Sequence, residues 1–231
     1  MRKSWWKILC VALLAYAVIG GILLPVPEIP QLQETIRNLY YHVCMWFAMM
    51  ILFTTSVVYS IRYVRTLDIS YDLRARSFAA VGLVMGLLGY GTGAIWAAYT
   101  WADPNNPAYA SFGSIAREPK LIGAAMAILV YFAYFILRDS VTDMDRRARV
   151  SAVYNIFAYA MLFPSIWIVP RLLPSLHPGQ EGNPALNFND IDARMRMVFY
   201  PAVIGWTLLG TWIATLKIRL DILREKKWSN A

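Results

Sequence analysis

The chain has 231 residues, of which 58% are hydrophobic, 14% aromatic and only 16% charged. Soluble globular proteins carry roughly 45–50% apolar and about 25% charged residues, so a soluble enzyme is excluded, and the aromatic content excludes a disordered chain. The net charge of +8 would suit nucleic acid, and where the cations lie decides between that and a membrane.

A bilayer core about 30 Å thick takes roughly 20 apolar residues of helix per crossing. Six stretches meet that need. The first, 5–24, follows Arg2 and Lys3 and ends at Pro25. It has the outline of a signal peptide but no small-x-small cleavage site, and Leu9 stands where a lipoprotein site at Cys10 needs a small residue, so it reads as an uncleaved anchor. The second, 42–61, opens on His42. The third, 77–100, contains Gly82-xxx-Gly86 and Gly89-xxx-Gly93, the spacing that lets helices pack closely. The fourth, 121–137, and the fifth, 152–169, are the shortest, and the fifth carries Asn155 and Pro164. The sixth spans 198–216. The expected fold is an all-α polytopic membrane protein, one membrane domain over 1–231.

Sixteen of the 22 Lys and Arg residues fall before or at the start of the first span, between the second and third, between the fourth and fifth, and after the sixth. Arg37, Arg117, Lys120, Arg171, Arg194 and Arg196 make up the other side. The positive-inside rule then places both termini in the cytoplasm and loops 25–41, 101–120 and 170–197 outside. The basic surplus is topology and needs no nucleic acid. The inner connections, about a dozen residues each and strongly charged, read as simple connectors. The longer outer loops are where function is expected.

Cys10 and Cys44, the only cysteines, cannot build a disulfide framework, a CxxC pair or a cysteine zinc site. His42 and His177, the only histidines, both fall at the outer surface. Each reads either as a polar interfacial residue with a backbone partner or as half of a shared ligand pair. Zinc wants three or four ligands and typically closer spacing, whereas axial ligation of haem needs two histidines at any separation. Trp96, Trp101, Tyr109 and Phe112 cluster nearby, as a platform for a planar ligand or as an interfacial aromatic belt. Arg37, Lys120, Arg171, Arg194 and Arg196 offer partners for propionates, for lipid headgroups, or for Asp190, Asp192 and Glu181. No GxxxxGK[ST], GxSxG or HExxH is present, and the span centres lack Asp, Glu, Lys and Arg, so ATP hydrolysis, hydrolase chemistry and ion-coupled pumping have no support.

Arg37-xxxx-His42-Val43-x-x-Trp46 resembles the outer histidine motif of the cytochrome c maturation protein C family of membrane haem-handling proteins. Ser175-Leu176-His177-Pro178-Gly179 resembles its second histidine motif. Gly93-Ala94-Ile95-Trp96 with Trp101 resembles the entry to its tryptophan-rich loop, and the likeness runs over nearly the whole chain. Cys44 stands where the family usually has Pro after His-Val. The family's WGxxWxWD stretch is diluted over 101–120, with Glu118 in place of the Asp. The resemblance implies a bacterial inner-membrane protein that binds non-covalent haem b through His42 and His177. It implies propionate or edge contacts from Arg37, Trp46, Trp96, Trp101, Tyr109, Phe112, Glu118, Lys120 and Arg171. It also implies transfer of haem to a membrane-anchored chaperone beside an ABC-type transporter, with no substrate bond made or broken. A scaffold subunit of a transporter complex without haem is the alternative. A di-haem electron-transfer subunit is disfavoured because two histidines serve only one bis-histidine haem.

Overall fold

The computed structural model describes residues 4–30, 32–103, 105, 111–168, 172–173 and 191–229. Its elements are α1 (Trp5–Leu23), a 3₁₀ helix (Gln33–Asn38), α2 (Leu39–Thr66), α3 (Ile69–Thr100), the single turn α4 (Phe112–Ile115), α5 (Pro119–Ser140), α6 (Met144–Phe163) continued by a π-helical turn (Pro164–Ile168), and α7 (Ala193–Ser229). Six of these helical runs are long and apolar enough to cross a membrane.

The apolar stretches sit where the composition puts them, but the helices outrun them. α2 covers 39–66 rather than 42–61, α3 begins at 69 rather than 77, and α7 runs to 229 rather than 216. The physical reason is that apolar length measures the oil, whereas a helix ends only where its backbone hydrogen bonds are capped. Two connections expected to be about a dozen residues long are therefore tight turns: 67–68 between α2 and α3, and 141–143 between α5 and α6. Leu67 takes the left-handed conformation (φ 56°) that ends α2. Asp68 then caps α3 by accepting from the Ser70 N–H at 2.9 Å. That bond holds the Asp68 carboxyl below the usual carboxylate range. The cap is complete at neutral pH and is lost as pH falls through the lowered value.

Glycine sets the central packing. A methyl on Gly82 would lie 2.7 Å from Phe53, on Gly86 2.7 Å from Met49, on Gly89 3.2 Å from Trp46 and on Gly93 2.3 Å from His42. Each step of four, three and four residues along α3 is matched by an equal step back along α2, so the two helices form an antiparallel hairpin in constant register. Bulky residues of α2 fill a glycine groove on α3. Between lipid-embedded helices, where no hydrophobic effect drives association, such close fitting is a main source of cohesion.

The other helices pack around this hairpin. α7 lies against α1, α2 and α3, and α6 against α2 and α5. α1 buries Trp6, Cys10, Ala17 and Gly20, a stripe at helical spacing, toward α7, while Gly21 faces Tyr40 of α2. Trp6 meets Trp212 edge to face at 6.0 Å, and the Cys10 thiol donates to the Gly205 carbonyl at 3.6 Å. Asn155 of α6 donates to the Ser56 and Ser60 hydroxyls of α2, each at 2.8 Å, and Ser56 donates to the Ala75 carbonyl of α3 at 2.7 Å. One amide thus ties three helices.

Arg138, expected among connector charges, belongs inside α5. Its guanidinium forms a two-pronged pair with Asp72 of α3 at 2.6 and 2.5 Å, with both side chains 6% exposed. The expectation failed because α5 continues past its apolar core to Ser140 and turns this cation inward.

Candidate functional site

His42 occupies the first turn of α2 and is only 8% exposed. Its ring enters the α2–α3 seam edge-on, since a methyl on Gly93 would lie 2.3 Å from Cε1, 2.7 Å from Nδ1 and 3.1 Å from Nε2. Nδ1 lies 2.8 Å from the Gly89 carbonyl oxygen. A carbonyl only accepts, so Nδ1 carries the proton, and in the neutral ring the lone pair resides on Nε2. A backbone carbonyl on the far nitrogen is the support that orients a ligating imidazole and fixes its tautomer.

Two tryptophans flank the ring. Trp46, one turn along α2, meets it edge to face at 6.3 Å, and Trp96 of α3 does so at 6.1 Å. The Trp96 indole N–H donates to the Thr35 hydroxyl at 3.0 Å, and Thr35 in turn donates to the Leu32 carbonyl. Asn38 donates to the Thr92 carbonyl at 3.3 Å. The 3₁₀ helix is thereby fastened across the end of α3 beside His42.

Arg37 sits on that 3₁₀ helix rather than on a continuation of α2, so the angular offset from His42 that an α-helix would give does not apply. Its Nη1 donates to the carbonyls of Gly21 and Leu24 at 2.5 and 2.8 Å, and its Nε pairs with Glu34 at 2.6 Å. Arg37 therefore caps the end of α1 and satisfies carbonyls that the helix leaves open. Nη2 has no partner among the described residues. Arg37→Ala is expected to lower stability by about 1–2 kcal/mol by orphaning the two carbonyls. Thermal unfolding in detergent measures this, and an unchanged melting temperature would remove the capping role.

A second group forms apart from the first. Trp101 packs on Ala94, Ala97, Ile115 and Leu121, joining α3, α4 and α5. Glu118 is buried and caps α5, accepting from the Lys120 backbone N–H at 2.9 Å ahead of Pro119 in the first helical turn. The structure thus gathers His42, Trp46 and Trp96 into one group, with Arg37 on the 3₁₀ helix whose Thr35 bonds Trp96, and Trp101, Glu118 and Lys120 into another. His177, Tyr109 and Arg171 lie outside the described residues, as does the side chain of Phe112 on α4. Arg194 pairs with Asp192 at 3.3 Å. The Arg194 backbone N–H, bonded to the same carboxylate at 2.9 Å, holds Asp192 below its ordinary range.

Thr35, Asn38 and the Gly89 carbonyl escaped the sequence reading. Only the glycine spacing of α3 signalled any of them, and it announced a close approach without naming His42 as the partner. Among the described residues no three His, Cys, Asp or Glu side chains come together as a metal-binding group. The site offers one imidazole, that of His42, oriented by the Gly89 carbonyl between aromatic walls. No protein-family model matches the chain, and no curated protein matches it in sequence.

Proposed function

We propose that this protein is a haem-handling component of cytochrome c biogenesis. It holds haem b at the outer face of a bacterial inner membrane and hands it to a membrane-anchored haem chaperone, beside an ABC-type transporter that supplies ATP hydrolysis. The observation that carries the reading is the mounting of His42: Nδ1 is held by the Gly89 carbonyl at 2.8 Å, which keeps Nε2 as the lone-pair nitrogen. Trp46 and Trp96 support the reading as walls for a planar ligand, and the open Nη2 of Arg37 as a propionate partner. His177 is the proposed second axial ligand. Both termini are cytoplasmic in this reading, and the chain ligates and transfers haem without making or breaking a covalent bond of a substrate.

The spectrum of the purified protein tests this. A Soret band with low-spin bis-histidine character is expected. His42→Ala or His177→Ala should each convert it to a five-coordinate or solvent-ligated form, and the double variant should abolish retention. An unchanged spectrum in the double variant would discard the ligand pair. The second reading, a scaffold subunit without haem, is favoured by the tight seating of His42 against Gly93, which is how a packing residue sits. It predicts colourless wild-type protein.

A further inference from the structure

At the opposite end of the α2–α3 hairpin from His42, two cations share one pair of tyrosines. Tyr59 of α2 and Tyr71 of α3 are stacked, with ring centroids 6.2 Å apart and 23° between their planes. The Arg62 guanidinium carbon lies 5.9 Å from both centroids, and that of Arg74 lies 5.8 and 5.4 Å from them. Those distances confine the two guanidinium carbons to within roughly 10 Å of each other, on rings whose π faces attract both. Like charges so gathered repel unless an anion joins them.

Among the described residues neither guanidinium has a carboxylate at salt-bridge distance. Asp68 caps the Ser70 N–H and feels the Arg74 charge only through space, and Asp72 is locked to Arg138. The level in the bilayer is also informative. The apolar run of α2 ends at Ile61 and that of α3 begins at Ser77, so Arg62 and Arg74 stand where hydrocarbon gives way to headgroups. Tyrosine is favoured at that depth, and basic clefts between helices there take anionic lipid headgroups.

We infer that Arg62 and Arg74, carried on the Tyr59–Tyr71 stack, form a clasp for the phosphodiester of an anionic phospholipid. Each guanidinium presents a planar fork of N–H donors to the phosphate oxygens. The acyl chains run along the exposed flank of α2 at Val58. The role is independent of haem and stands or falls separately from it.

Native mass spectrometry of the full chain in neutral detergent, given equal amounts of palmitoyl-oleoyl phosphatidylglycerol and phosphatidylcholine, tests the clasp. Wild type should retain phosphatidylglycerol preferentially. Arg62→Gln with Arg74→Gln should reduce that preference about thirtyfold, the effect expected of two headgroup-level cations. Arg146→Gln with Arg147→Gln, an equal loss of charge at the α6 start, should leave it unchanged. Should the clasp double variant not fold, the single variants Arg62→Gln and Arg74→Gln should each lower the preference roughly fivefold. Equal retention of the two lipids by wild type, an undiminished preference in both single variants, or an equal fall in the Arg146/Arg147 control overturns the proposal. Displacement of the lipid by millimolar inorganic phosphate also overturns it, since the site would then serve a soluble anion.

Discussion

Gly93→Ala is expected to drive His42 from the α2–α3 seam and to cost about 1–3 kcal/mol, the usual range for an added methyl in a filled interior. The methyl would meet Cε1 at 2.3 Å, well inside contact distance, and the imidazole has no easy retreat. Trp46 and Trp96 flank it, and the Gly89 carbonyl fixes Nδ1. Gly91→Ala is the control on the same helix. A methyl there meets nothing within 4 Å, so the change should stabilise by roughly 0.5–1 kcal/mol through helix propensity. Thermal unfolding followed by circular dichroism should separate the two variants in opposite directions, and matching melting temperatures would refute the seating of His42. In protein carrying haem, Gly93→Ala should alter the axial-ligand spectrum while Gly91→Ala leaves it intact.

Breaking the Asp72–Arg138 pair should cost more. Arg138→Leu alone leaves an unpaired carboxylate with its side chain 6% exposed, and Asp72→Leu alone strands a guanidinium just as deeply. Removing one partner of a buried ion pair typically costs about 3–5 kcal/mol, because the survivor's charge stays desolvated. Asp72→Leu combined with Arg138→Leu should recover most of that loss, since no lone charge remains and two apolar side chains can pack between α3 and α5. A double-mutant cycle on melting temperature measures the coupling. Additive losses in the double variant would show that the two residues act separately.

Local signals carried much of the architecture. The positions of the six apolar helices follow from run length, because a helix is the element that satisfies its own backbone within one segment. The glycines at 82, 86, 89 and 93 announced a close helix contact on α3, since only the absence of Cβ admits one. His42 and Trp46 fall on one face of α2 simply by being four residues apart. These are properties of neighbours in the chain, and periodicity reports them.

What only the tertiary structure decided concerns partners far apart in sequence. That His42 is the residue seated against Gly93, 51 positions away, depends on the register of the hairpin, which the two-residue turn at 67–68 establishes. Arg37 reads as an outer cation open to any anion, yet much of its guanidinium goes to carbonyls of α1, because folding brings that helix end beside the 3₁₀ turn. Arg138 counts as a connector charge until α5 turns it onto Asp72. Trp96 and Trp101 lie five residues apart and look like one aromatic patch, but the helix directs Trp96 toward His42 and Trp101 toward α4 and α5. In each case the sequence states which groups need a partner. Which partner they receive is settled by helix register and rotation, quantities that exist only once the helices pack.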